Sequence, residues 1–195
     1  GRLRYAFSGG AAINKDVAEF IDSLGITVYE GYGLTETSPI ATANTPSGRK
    51  IGSIGKAIPG VQVVIDSPDG KKTEKGYREG EIVVFGHNVM QGYLNRPEDN
   101  AAVFCTRDFK PYGDGGPNPD RGFRTGDMGY VDGEGFVYIT GRIKEQYKLE
   151  NGKYVVPSPL EEDLKLSPFI INAMVYGDNK LFNVALIVPD PDAVK

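Results

Sequence analysis

Ile26-Thr-Val-Tyr-Glu-Gly-Tyr-Gly-Leu-Thr-Glu-Thr-Ser38 is the stretch on which the reading of this chain turns. Ile26 to Tyr29 has the β-branched and aromatic content of a short strand. The residues after Tyr29 pack two glycines, an aromatic ring, hydroxyls and an acid into one loop. Upstream, Leu3-Arg-Tyr-Ala-Phe-Ser8 alternates as a strand does, and Gly9-Gly10 ends it. Asn14 is a good N-cap for a helix over about 15–24, with Val17, Phe20, Ile21 and Leu24 on one face. Gly25 sits where a glycine closes a helix. Strand, helix and strand of this length predict a βα unit with a parallel sheet. The loop Tyr32–Thr37 then leaves the C-terminal end of the second strand, where ligands bind in open α/β sheets.

The chemistry of that loop agrees with its position. Glycine lets backbone approach a ligand closely. A tyrosine face can stack on a base, a threonine hydroxyl can donate to a phosphate, and a lone carboxylate beside it can hold Mg²⁺. Together these groups suit a magnesium nucleotide. Any one of them taken alone reads more simply as part of a Gly-rich turn between strands.

The 195 residues carry a net charge of −4 and are 39% hydrophobic, which is enough core for one domain or two small ones. With 26 glycines and 13 prolines the chain is rich in turns, which favours short strands. Mild acidity argues against a nucleic-acid partner. No apolar run reaches the length of a membrane span, and no signal peptide is legible. Cys105 is the single cysteine, so an intrachain disulfide and a cysteine metal site are excluded and a reducing, intracellular setting fits. His87 is the single histidine and reads as a loop residue, with no Gly-x-Ser-x-Gly elbow beside it.

From about residue 51 the texture changes. Val61–Ile65, Gly80–Phe85, Phe123–Gly126 and Gly135–Thr140 are short strands, punctuated by the hairpin signals Pro68-Asp-Gly and Asp132-Gly-Glu-Gly. They predict a small antiparallel barrel or curved sheet. Pro97 opens one short helix, and residues 107–122 are composed as an exposed loop. A third section holds a hairpin around Glu150-Asn-Gly-Lys153, a helix over 157–166 stopped by Pro168, and strands at 170–176 and 182–188. The expected fold class is therefore α/β followed by β: residues 1–50 as the end of an α/β parallel-sheet subdomain, 51–141 as a β-rich, barrel-like subdomain, and 142–195 as a hinge and a small α+β domain.

Two further motifs carry chemistry. Asp127, after Thr125-Gly126, can accept hydrogen bonds from both hydroxyls of a ribose; alone it reads as a turn cap. Arg142, in Gly141-Arg-Ile-Lys-Glu145, can reach a ribose or phosphate as a charged donor; alone it reads as a solvated basic turn.

Taken together, Tyr32-Gly-Leu-Thr-Glu36, Thr125-Gly-Asp127 and Gly141-Arg-Ile-Lys-Glu145 resemble, in order and spacing, the nucleotide motifs of the adenylate-forming enzymes. That superfamily includes acyl-CoA synthetases, luciferases and the adenylation domains of peptide synthetases. The strings Tyr147–Pro157 and Asn183–Asp190 are most similar to long-chain fatty acyl-CoA synthetases. The resemblance implies ATP, Mg²⁺, a fatty acid and coenzyme A as ligands. It places Gly10 against the nucleotide, with Glu30, Gly31 and Tyr32 at adenine, although Glu30 stands where an amide is common. Thr35 would bond a phosphate, Glu36 would hold the metal, and Asp127 and Arg142 would hold the ribose. Lys144 occupies the hinge between large and small domains, and Lys148 a basic position facing the nucleotide or the thioester-forming site. A Ser/Thr/Gly-rich phosphate loop and a late lysine expected of the family are absent from this sequence, which implies an interior piece of a longer ligase. Peripheral membrane association of the parent is compatible with this reading. The alternatives are a non-catalytic nucleotide-binding module and a peptide-synthetase-type adenylation domain.

Overall fold

The computed structural model describes residues 3–10, 13–112 and 120–194. They form two compact bodies, one up to Ile139 and one from Thr140.

The first body begins with strand β1 (Tyr5–Ser8), helix α1 (Lys15–Ser23) and strand β2 (Thr27–Tyr32). The Asn14 carboxamide accepts from the amides of Asp16 at 2.8 Å and Val17 at 3.4 Å, which satisfies two of the free donors at the helix start. Gly25 adopts φ +78° and closes it. β1 and β2 are parallel, with Tyr5 opposite Thr27 and Ser8 opposite Glu30. The apolar face expected of α1 is open: Phe20 is 63% and Leu24 61% exposed, and Ala18 is the helix residue that is buried. Periodicity marks the stripe, but no described element covers it.

Gly31 and Tyr32, expected in the loop, are the last residues of β2. There they pair antiparallel with β3 (Thr42–Ala43), and β3 pairs with β4 (Lys56–Ala57).

The remaining strands of this body are β5 (Val61–Asp66), β6 (Glu79–Gly86), β7 (Phe104–Cys105), β8 (Gly122–Val131) and the start of β9 (Val137–Arg142), whose residues from Thr140 on belong to the second body, with helix α2 (Pro97–Val103) before β7. They form a curled sheet in the order β5-β6-β8-β7, with β9 on β8. The β5–β6, β6–β8 and β7–β8 pairs are antiparallel. β8 is ten residues long, far beyond the four expected. β6 is buried on both faces: Ile82 and Val84 join Ala41, Ile54 and Val137, while Val83 and Phe85 join Cys105. The Asp132 carboxylate closes the β8–β9 turn, accepting from the amides of Glu134 and Phe136, each at 2.9 Å, and from Lys50 Nζ at 2.7 Å. Burial pushes this carboxyl up, but Lys50 and the two amides outweigh it and hold it below the usual range. Of the loop expected over 107–122, residues 113–119 lie outside the described residues.

The second body contains the hairpin β10 (Tyr147–Lys148) and β11 (Tyr154–Val155), helix α3 (Pro157–Leu164), and the antiparallel pair β12 (Ile170–Tyr176) and β13 (Val184–Pro189). Gly152, at φ +87°, makes the hairpin turn the Asn-Gly pair predicted. Leu149, Val155, Ala173 and Val175 are buried. Among the described residues no helix is long and apolar enough to cross a membrane. The fold is thus α/β followed by a curled antiparallel sheet and a small α+β body.

Candidate functional site

A single 3₁₀ turn, Thr35–Thr37, leaves the C-terminal end of β2. Its shape comes from contacts inside the motif. A Cβ on Gly33 would sit 1.8 Å from the Pro39 carbonyl oxygen, so only glycine lets the chain fold back there. The fully buried Thr37 hydroxyl accepts from the Leu34 amide at 2.9 Å and donates to the Leu34 carbonyl at 3.0 Å. The Ala41 amide donates to the Tyr32 carbonyl at 2.8 Å. The two threonines therefore differ: Thr37 is the brace, and Thr35 is exposed.

Glu36 is held at both its backbone and its side chain. The Met90 amide donates to its carbonyl at 2.9 Å, and the Tyr93 hydroxyl donates to Oε1 at 2.7 Å. Burial, reinforced by the Glu36 carboxylate, pushes the Tyr93 phenol up to about 12, so it remains a donor. Tyr93 was not among the expected site residues, and no sequence spacing links it to a partner 57 positions away.

Thr125-Gly126-Asp127 is a bulge in β8. Glu81 pairs with Met128 and Val83 with Arg124, so one residue of β6, Ile82, faces three of β8. The motif supplies what the bulge needs. The Thr125 hydroxyl donates to the Ile82 carbonyl at 2.8 Å and accepts from the Asp127 amide at 3.1 Å. Gly126 takes φ +74°, and its amide donates to Glu81 Oε1 at 3.1 Å. Arg124 ties the same region together through Glu81 at 2.6 Å and Asp66 at 2.8 Å. The bulge re-aims Asp127, whose Oδ2 accepts from the Tyr32 hydroxyl at 2.6 Å. Two expected residues 95 positions apart are thereby joined, and the bond fixes the Tyr32 ring.

Glu30 lies on β2 and is 7% exposed; its Oε1 accepts from the Ile13 amide at 3.2 Å. Burial pushes its carboxyl up, opposed by that amide and by Arg49. A Cβ on Gly31 would stand 3.4 Å from the Thr42 carbonyl oxygen, a tight fit. Gly10 has φ +90° and open space where a Cβ would point.

Arg142, Lys144 and Lys148 belong to the second body, and all three are exposed. Arg142 ends β9, Lys144 is in the turn Ile143–Glu145, and Lys148 Nζ stands 5.5 Å over the Tyr154 ring. Gly141 precedes them because a Cβ there would come within 2.2 Å of Val156.

Among the described residues no three His, Cys, Asp or Glu side chains gather as a metal site. Glu36 would offer one hard carboxylate oxygen beside the exposed Thr35 hydroxyl. That set fits Mg²⁺, which takes one or two carboxylates and completes its shell with water and substrate phosphates.

The model of the AMP-binding enzyme matches residues 1–94, and that of the AMP-binding enzyme C-terminal domain matches residues 144–195. The chain is 37% identical over 193 residues to the long-chain-fatty-acid–CoA ligase FadD15 of Mycobacterium bovis, covering 99% of this chain and 28% of that protein. It is 34% identical over its full length to long-chain-fatty-acid–CoA ligase 1 of Schizosaccharomyces pombe, again spanning 28% of the relative. Among solved structures, the O-succinylbenzoate coenzyme A synthetase of Bacillus subtilis in complex with ATP and magnesium ion superposes with a TM-score of 0.75 at 30% identity, over 95% of this chain and 36% of that one. With motifs, fold and relatives in agreement, the chain belongs to the adenylate-forming AMP-binding enzymes and is similar to their long-chain fatty acid–CoA ligases.

Proposed function

We propose that this chain is the nucleotide-facing section of an ATP-dependent ligase that converts a long-chain fatty acid, through its acyl-adenylate, to acyl-CoA, AMP and pyrophosphate. The observation that carries the reading is the pairing of two features at the C-terminal end of β2: the braced turn presenting Thr35 and Glu36, and Tyr32 tied to Asp127. The named long-chain ligases among the relatives support the acyl substrate, and the ATP- and magnesium-bound synthetase supports the nucleotide.

In the first step the fatty-acid carboxylate attacks the α-phosphorus of ATP, and pyrophosphate leaves with the electron pair of the broken P–O bond. In the second the CoA thiolate attacks the acyl carbonyl and AMP leaves. Magnesium, when bound, supplies charge neutralisation at the phosphates. The chain's own groups position and stabilise, and none acts as a nucleophile. Thr35 donates to a phosphate oxygen, and Glu36 offers a carboxylate oxygen to the metal. Tyr32 stacks on adenine, with Gly10, Glu30 and Gly31 lining its edge. Asp127 and Arg142 hold the ribose. Lys144 is the hinge between the sections 1–141 and 142–195, and Lys148 faces the nucleotide or the thioester-forming site.

The experiment is fatty-acid-dependent pyrophosphate exchange by the full-length protein. Glu36→Ala takes exchange to background while the fold survives; near wild-type exchange in a folded variant sinks the metal role. The 195-residue chain spans 28% of the length of the Mycobacterium bovis and Schizosaccharomyces pombe relatives.

A further inference from the structure

The segment Met90–Tyr93 has no assigned task, yet four hydrogen bonds from two side chains fix it. Arg121, 7% exposed and stacked 4.2 Å over the Phe104 ring, donates to the carbonyls of Gln91 at 2.9 Å and Met90 at 2.5 Å. Asn100, on α2, clamps Tyr93 reciprocally: its Oδ1 accepts from the Tyr93 amide at 2.8 Å, and its amide donates to the Tyr93 carbonyl at 2.9 Å. Gly92, at φ +146°, passes so near Asn100 that a Cβ would stand 3.1 Å from that side chain. The Met90 amide and the Tyr93 hydroxyl then both terminate on Glu36. Burying an arginine against two backbone carbonyls is a costly way to hold a plain loop.

We propose that Met90–Tyr93 is a strut that orients Glu36 for the divalent metal, with Tyr93 as the positioning residue; this rests on the metal role given to Glu36 above. By donating to Oε1, the Tyr93 hydroxyl fixes the carboxylate plane and leaves Oε2 as the oxygen offered to a cation. Partners of this kind lock a ligand's rotamer in advance, and their loss costs metal affinity while leaving the ligand itself in place.

The test uses the full-length protein, Mn²⁺ as the probe and a non-hydrolysable ATP analogue. Free Mn²⁺ is counted by electron paramagnetic resonance, and analogue binding in EDTA is followed by calorimetry. Glu36→Gln weakens Mn²⁺ binding, as the metal reading requires. Tyr93→Phe weakens it by about tenfold, with metal-free analogue affinity and melting temperature unchanged. Asn100→Ala, which keeps the phenol but loosens its backbone, weakens Mn²⁺ in the same direction and serves where Tyr93→Phe misfolds. If Glu36→Gln weakens Mn²⁺ but Tyr93→Phe and Asn100→Ala do not, the strut is overturned and the metal role stands. If the variants lose metal-free analogue binding equally, the segment is only scaffold and the inference also falls. If Glu36→Gln leaves Mn²⁺ affinity unchanged, the metal reading itself fails.

Discussion

Strands β6 and β13 both carry apolar runs, Ile82-Val-Val-Phe85 in one and Val184-Ala-Leu-Ile-Val188 in the other, and they meet opposite fates. In β6 the four residues are 0–2% exposed. In β13 every residue is exposed, with Leu186 at 65%. β6 has a neighbour on each edge, β5 and β8, and a hydrophobic cluster on each face. β13 has β12 alone. An apolar run is therefore an invitation to burial, and topology decides whether it is met. The candidate site follows the well-packed region: Asp127 is aimed by a bulge on β8, which pairs directly with β6, and Glu36 is braced by contacts converging from buried Arg121 and Thr37.

The largest effect that could break this contrast is a pair of truncations in the isolated chain. Ile82→Ala is expected to cost about 2–5 kcal/mol in urea denaturation, and Leu186→Ala no more than about 0.5 kcal/mol. Equal losses would show that β13 is as well packed as β6. Next comes the bulge. Gly126→Ala forces a side chain into the left-handed region and is expected to destabilise by about 1–2 kcal/mol. Because it also shifts Asp127, nucleotide affinity falls with it. Unaltered ATP affinity in the Gly126→Ala protein would separate the bulge from the site.

A smaller effect concerns Glu30. Burial raises its folded-state pKa above the ordinary glutamate value, so its favourable contribution is full below that value, about 4.3, and is lost as pH rises through the raised one. Glu30→Gln mimics the protonated form and keeps the acceptor for the Ile13 amide. Its melting temperature should exceed that of the parent chain at pH 7.5, and the gain should vanish at pH 4. A lower melting temperature at pH 7.5 would mean that attraction to Arg49 outweighs desolvation. The smallest expected stability change belongs to Leu186→Lys with Val188→Lys. It leaves the melting transition in place but reduces self-association in sedimentation, because an open aliphatic strand templates pairing between chains. Undiminished association would place the sticky surface elsewhere, with the exposed stripe of α1 next in line.

Much of this was legible in the sequence because it is local. Asn14 and Gly25 bracket α1, alternation marks β1, and the Asn-Gly turn sets the β10–β11 hairpin. The two-residue strands β3, β4 and β7 were not, since two residues carry no period. The same limit applied to the site. Thr35, Glu36 and Asp127 stood out as motifs, but the Tyr32–Asp127 and Tyr93–Glu36 bonds join residues 95 and 57 positions apart. Thr37 was indistinguishable from Thr35 by type, and only the fold-back at Gly33 makes one a brace and the other a free hydroxyl face. Periodicity identified an apolar stripe on α1 but carried no information about what would cover it.

Cys105 gives the β-sheet a clock. It is the single thiol of the chain, 0% exposed between Val83 and Phe85, and burial pushes its ionisation up. A thiolate reagent can therefore reach one sulfur and only when β7 parts from β8. The progress curve of labelling, with a ceiling of one adduct per chain, reads the frequency of that parting directly. It turns the quietest side chain in the sheet into a stopwatch for the frame that holds Asp127.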